Sequence, residues 1–197
     1  MVVVSKQFKK MQILNYIAGE LGQPLSNKWL DCYEPATGAK YGTCPDSGID
    51  DVNAAVKSAN NAFKDWSNLP AAERAAFLIA IADGIAAKHE DFAAAESQDT
   101  GKPLWLASSV DIPRAIQNFR FFAAAATQFS SESHYTEGFG INYTLRCPLG
   151  AVACISPWNL PLYLFSWKIA PALSVGNCVV GKPSEITPLT AFLLAEV

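Results

Sequence analysis

Two short apolar runs in the last third of the chain flank a helical stretch, and each run ends in a cluster of polar and turn-forming residues. This arrangement constrains the fold more than any other feature. Ala151-Val152-Ala153-Cys154-Ile155 lacks polar alternation, which predicts a strand covered on both faces. Pro161 to about Val175 reads as a helix ended by Gly176-Asn177, and Cys178-Val179-Val180-Gly181 reads as a second buried strand. Pro188 to Val197 opens a further helix. Strand, helix, strand, helix is the opening of a doubly wound parallel sheet, so the expected class is α/β. The final segment Thr190–Val197 is apolar and carries no C-terminal cap, which predicts an element that continues into a larger domain.

The rest of the chain supplies cover. Residues up to about 50 read as short strands and turns, punctuated by Ala18-Gly19, Thr37-Gly38 and Ser47-Gly48, and no chemistry is evident there. From Asp50 the period changes. Val52, Val56, Ala59, Phe63 and Trp66 share one helical face, with Asp50 and Asp51 at the positive end of the dipole. A second helix is predicted from Pro70, with Leu78, Ile81 and Ile85 inward, and a third from about Glu90 to a stop at Gly101. A fourth covers roughly Leu104 to Ser130 with Pro113 interrupting it; Ile112, Ile116, Phe119, Ala123 and Ala126 form its buried side. Gly138 and Gly140 mark a hairpin whose return strand is predicted at Tyr143–Arg146.

Composition removes several function classes. Half of the residues are hydrophobic and 17% are charged, too apolar for a disordered chain. A net charge of -3 argues against a nucleic-acid partner. The most apolar stretch, Leu160 to Gly181, is broken by Pro161, Lys168, Pro171 and Asn177, so it reads as core and no membrane span is expected. Met1-Val2-Val3-Val4 is too short for a secretory leader, and Lys6, Lys9 and Lys10 follow it rather than precede it. Five cysteines at wide spacings write neither a disulfide framework nor a metal motif, and a reducing, cytoplasmic compartment is expected.

Open parallel sheets bind ligands beyond the carboxyl ends of their strands. Here those ends carry Ser156-Pro157-Trp158-Asn159 and Lys182-Pro183-Ser184-Glu185. Lys182 and Glu185 suit the vicinal hydroxyls of a ribose, the backbone around Ile155 to Pro157 suits a flat cofactor, and Asn159 offers a neutral amide donor to an oxyanion. Ordinary loop and capping chemistry explains the same residues equally well on spacing alone. Gly176 to Lys182 imitates a phosphate-binding loop, but Pro183 stands where the Ser or Thr is needed and Cys178–Val180 reads as a strand.

These motifs, together with Lys168-Ile169-Ala170-Pro171-Ala172-Leu173, Thr187-Pro188, Asp99-Thr100-Gly101-Lys102-Pro103, Glu73-Arg74 and Asn15 to Glu20, resemble the aldehyde dehydrogenase superfamily over nearly the whole chain. Asp111-Ile112-Pro113-Arg114 and Gln117 to Ala123 are similar to the branch that acts on carboxylate-bearing semialdehydes, a step of tryptophan (kynurenine) breakdown. The resemblance implies NAD-dependent oxidation of an aldehyde to a carboxylate: a cysteine thiolate adds to the carbonyl, hydride passes to the nicotinamide, and water releases the acid. It implies Asn159 as the oxyanion donor and Ile155, Ser156, Pro157, Trp158, Lys182, Ser184 and Glu185 as cofactor contacts, with Glu185 disfavouring a 2′-phosphate. Arg114, Leu164, Trp167 and Lys168 are implied on the substrate side, Arg114 as a carboxylate clamp. It further implies that residues 1–197 are the N-terminal part of the NAD-binding domain, with the parallel sheet begun in about 143–197, and that full-length members are homo-oligomers. None of the five cysteines matches the family nucleophile, and the general base and catalytic domain are likewise missing. The chain alone is therefore expected to be inactive. A competing expectation is a non-catalytic interaction or regulatory module that docks on longer subunits.

Overall fold

A computed structural model of the protein describes residues 7–197; the reading of Met1–Val4 and Lys6 lies outside the described residues. The N-terminal region forms short strands, as expected. β1 (Met11–Gln12), β5 (Lys40–Pro45) and β4 (Trp29–Tyr33) make a three-stranded sheet in that order, and β2 (Asn15–Ile17) and β3 (Glu20–Gly22) make a hairpin. The register between β4 and β5 slips at Cys32/Tyr33, where Cys32 pairs Gly42 and Tyr33 pairs Lys40. Tyr41 is the extra residue of this bulge, and bulges re-aim side chains.

Five helices follow and build most of the core. α1 (Ile49–Asn68) starts where expected, and buried Asp51 accepts the Gly48 N–H at 2.9 Å and the Leu25 N–H at 2.9 Å. Its inward stripe is only partly covered. Ala59 is buried, whereas Val52 and Val56 stay exposed, because α1 rests on a sheet of two strands that is narrower than the helix is long. α2 (Ala71–Ala87) buries Leu78 and Ile85 against α5. α3 (His89–Thr100) stops at Gly101, whose φ of +73° closes the helix with its N–H on the Ser97 carbonyl. α4 (Leu104–Leu106) passes through a π-helical turn (Ala107–Asp111) into α5 (Ile112–Thr127). Pro113 thus does not break the helix. The wide turn before it absorbs the missing N–H and the ring clash. Ile112, Ala115, Phe119 and Ala123 are buried on α5, beside Phe92 of α3 and Leu162 further on.

β6 (Ser133–Thr136) and β7 (Gly140–Tyr143) form the expected hairpin. The return strand is earlier than predicted: Thr144–Arg146 leave the ladder, since Gly138 and Gly140, both at positive φ, complete the turn by residue 140. The strand–helix–strand unit is as predicted. β8 (Ala151–Ile155) and β9 (Cys178–Lys182) are parallel, joined through α6 (Pro161–Ser174), and α7 (Leu189–Ala195) follows. The expected burial on both faces is only partial. α6 and α1 both pack on the two strands, α6 over Gly181, yet Ala153 and Ile155 stay exposed among the described residues. No helix of the described residues is long and apolar enough to cross a membrane.

α6 approaches β9 at Gly181, where an added Cβ would lie 2.7 Å from Phe165 Cζ and 3.0 Å from Cε2. Gly181→Ala is expected to lower unfolding free energy by about 1–3 kcal/mol through this overlap. Shortening the neighbour in Gly181→Ala/Phe165→Leu should recover part of the loss relative to Phe165→Leu alone. Urea denaturation checks it, and additive losses would contradict the packing account.

Candidate functional site

The parallel register pairs Ile155 with Lys182, and the Ser156 N–H donates to the Lys182 carbonyl at 3.1 Å. The two strand-end clusters therefore leave the sheet at the same edge and side by side. Asn159 and Lys182 lie at one end of the sheet, not on opposite sides of the molecule. The loops are tied together again further out, where the Thr187 hydroxyl donates to the Trp158 carbonyl at 3.4 Å.

Ile155, Pro157, Trp158 and Asn159 are exposed, and Ser156 is buried. The Ser156 hydroxyl oxygen has no hydrogen-bond partner among the described residues, which makes it an unsatisfied polar atom at the mouth of the sheet. Lys182 Nζ lies 2.7 Å from Glu185 Oε2, with both side chains more than half exposed. This pair holds the Glu185 carboxyl below its ordinary value. Exposed pairs contribute little to stability, so this one leaves its ammonium and carboxylate free to take new partners. Ser184 is buried and shapes its own loop: its hydroxyl accepts the Ile186 N–H at 3.3 Å.

Beneath both loops lies α3. Glu96 and Asp99 are one turn apart on its buried face and fully buried. Glu96 Oε2 accepts the Leu162 N–H at 3.4 Å, in the first turn of α6. Asp99 Oδ2 accepts the Leu189 N–H at 2.8 Å, at the start of α7, and Oδ1 receives the Tyr41 hydroxyl from the β5 bulge. Each acid thus supplies an acceptor to backbone donors that a helix start leaves unpaired. Lys102 offsets the charge of Glu96 at 3.1 Å and of Asp111 in the π turn at 2.7 Å. Burial raises the Glu96 carboxyl, with Lys102 opposing, and pushes Asp99 up to about 7 against the bonds from Tyr41 and Leu189.

A second cleft, of about 330 Å³, opens between α5 and α6. Arg114, Gln117, Asn118, Phe121, Phe122, Tyr163 and Trp167 line it. The Arg114 guanidinium sits 5.3 Å from the Tyr163 ring centre, and Tyr163 and Trp167 meet edge to face at 5.5 Å. Of the four residues expected on the substrate side, Arg114 and Trp167 share this cleft. Leu164 and Lys168 do not line it; Lys168 acts instead on Cys154, under the sheet. Sequence reading passes over Asn118. Its carboxamide donates to the Tyr163 carbonyl at 3.1 Å and to the Ser166 hydroxyl at 2.9 Å, fixing α6 on α5. An amide set between the apolar Ala115, Phe119 and Phe122 of α5 is the available signal.

All five cysteines are unpaired thiols, and four of them are buried. Burial pushes the Cys154 and Cys178 thiols up, and contact with Cys44 together with burial pushes Cys32 up. Contact with Cys32 pulls the Cys44 thiol down, but Cys44 is buried, whereas reactive cysteines combine a lowered thiol with access.

Residues 23–197 match the aldehyde dehydrogenase family, and the chain belongs to it. It is 47% identical over 195 residues to 2-aminomuconic semialdehyde dehydrogenase of Danio rerio, covering 98% of this chain and 40% of that one. Identity to the Homo sapiens protein of the same name is 46%, covering 95% and 38%. 2-Hydroxymuconic semialdehyde dehydrogenase of Pseudomonas sp. strain CF600 is 44% identical, covering 94% and 39%. Among solved structures, HpcC from Thermus thermophilus superposes with a TM-score of 0.92 at 37% identity over 96% of this chain and 37% of that one. PnpE in complex with nicotinamide adenine dinucleotide gives 0.91 at 38% identity, covering 94% and 38%. The chain thus spans about 40% of the length of the curated relatives it matches.

Asp99 carries a pH signature. Its folded value of about 7 lies above the unfolded 3.8. Its contribution is therefore fully present below about pH 4 and is lost as pH rises to about 7. Asp99→Asn keeps an acceptor and carries no charge. It is expected to match the parent near pH 4 and to gain on it by a few kcal/mol, order of magnitude, by pH 8. Chemical denaturation across that range checks it; a pH-independent difference would contradict the assignment.

Proposed function

We propose that the chain serves NAD-dependent oxidation of a carboxylate-bearing semialdehyde to the acid, as the N-terminal part of an NAD-binding domain. The observation that carries this reading is the Ile155–Lys182 register, which sets both strand-end clusters at one edge. The residues there fit a dinucleotide. Lys182 and Glu185 offer a donor and an acceptor three residues apart for a vicinal diol, and Glu185 repels a 2′-phosphate. The unsatisfied Ser156 hydroxyl and the bare apolar edge at Ile155 and Trp158 suit a flat, hydrogen-bonding ligand. A dinucleotide held there by Lys182, Glu185 and the Ile155–Trp158 edge would supply the hydride acceptor for the aldehyde carbon. Asn159 donates its amide N–H to the oxygen that becomes negative on that carbon. Arg114, steadied on the Tyr163 ring, pairs with the substrate carboxylate, and Phe121, Phe122 and Trp167 exclude water from the chain between the two ends. The names of the curated relatives, muconic semialdehyde dehydrogenases, support that substrate class.

The attacking thiolate and the base come from outside these 197 residues, because four of the cysteines are buried and Cys147 lies in the irregular stretch after β7. The chain alone is therefore inactive. Its five unpaired thiols support a reducing, cytoplasmic setting.

Calorimetric titration of the full chain tests the nucleotide half. NAD is expected to bind weakly yet about tenfold better than NADP, and Glu185→Gln to narrow that preference to about threefold or less. An unchanged preference, or no binding of either dinucleotide, would overturn the reading. Incubation with NAD and several semialdehydes is expected to leave absorbance at the NADH band flat. Turnover that Asn159→Ala abolishes would overturn the claim of inactivity.

A further inference from the structure

Besides the Thr187–Trp158 tie, the loop from Lys182 to Leu189 is held at its start, middle and end. Its start is fixed by the sheet ladder, through the Ser156 N–H on the Lys182 carbonyl. Its middle is held from below: the Cys44 thiol on β5 faces the Glu185 carbonyl at 3.7 Å. Its end is held by Asp99, which accepts the Leu189 N–H at 2.8 Å while the bulged Tyr41 donates its hydroxyl to the other carboxylate oxygen. Between these points the loop turns on itself through Ser184, whose carbonyl accepts the Thr187 N–H at 3.2 Å. The Glu185 side chain then has one open direction, toward solvent and Lys182.

We propose that Asp99 and Cys44 are positioning residues for the Lys182–Glu185 pair, Asp99 fixing the far end of its loop and Cys44 the backbone of Glu185 itself. Both act through the N-terminal sheet, since Tyr41 and Cys44 belong to the same strand. The strand region that shows no chemistry in sequence thus serves as the floor of the nucleotide loop. Without the Asp99 acceptor, the Leu189 N–H is a buried donor lacking its partner, and the last residues before α7 lose their anchor. Without the Cys44 thiol, only the flanking turn restrains the Glu185 carbonyl. The inference rests on reading the Lys182–Glu185 pair as the ribose contact, but the pair itself can be measured in the absence of any nucleotide.

The experiment uses the full chain, isotope-labelled, and reads two quantities by NMR. The first is the titration midpoint of the Glu185 carboxyl without ligand, which reports its distance from Lys182 and which a general loss of stability would not move. The second is the response of the Ser184 to Ile186 amides to added NAD. Asp99→Ala and Cys44→Ala are expected to raise the Glu185 midpoint by about 0.3 unit or more toward the ordinary value, as the ion pair loosens. They are expected to weaken NAD about fivefold, the order of one hydrogen bond. Asp99→Asn is expected to rescue both, because its oxygen accepts from Leu189 and its NH2 donates to the Tyr41 hydroxyl oxygen. An unchanged Glu185 midpoint in folded Asp99→Ala or Cys44→Ala overturns the role of that residue, and if Asp99→Ala does not fold, Cys44→Ala decides. A midpoint that moves as expected in a chain whose parent ignores NAD leaves the positioning intact and removes the ribose reading.

Discussion

Two buried carboxylates on one turn of α3 organise the rest of the structure. Glu96 receives the first turn of α6 and Asp99 the first residue of α7, and these helices leave β8 and β9 through the two loops of the candidate site. A helix sets residues three apart on one face about one turn apart, so α3 dictates how far apart the two loops can stand. Burying such acids is costly, and the chain offsets the cost with specific partners: Lys102 for Glu96, and Tyr41 with the Leu189 N–H for Asp99. Removing either partner would leave a charge or a donor buried alone. The β5 bulge, the Gly101 stop that frees Lys102 to turn back, and the π turn that presents Asp111 all serve that one buried cluster.

Much of this is legible in the sequence, for reasons that differ by element. β8, α6 and β9 stand out because a parallel strand is a run of apolar residues and its helix repeats every 3.6 positions. Gly101 ends α3 because only a residue tolerant of positive φ closes a helix that way. The edge residues Asn159, Lys182 and Glu185 follow from where parallel strands must end. The failures are equally physical. Pro113 signals a break, yet a π turn accommodates it at no visible cost to the helix, and no residue pattern announces a π turn. The strands read as covered on both faces from their apolar composition, and α6 and α1 do pack on them but leave Ala153 and Ile155 exposed. Asn118, Tyr41 and Cys44 are silent because their importance lies in contacts across the chain, at separations of 45, 58 and 141 residues.

In the proposed reading the sheet edge and the α5–α6 groove would divide the work of an aldehyde oxidation. The edge of the sheet presents an exposed ion pair and a neutral amide. The groove between α5 and α6 presents four aromatic rings and a single guanidinium. α6 links them, since its first residues follow Asn159 and its opening turns carry Tyr163 and Trp167. A shift of α6 would therefore disturb the sheet edge and the groove at once, and Asn118 and Glu96 both hold it in place.

The most direct measurement is a crystal structure of the chain soaked with NAD. The account predicts the adenosine ribose hydroxyls against Lys182 and Glu185, with the dinucleotide running across Ile155 toward Asn159. Dinucleotide density seated elsewhere, with the Lys182–Glu185 pair undisturbed, would contradict it.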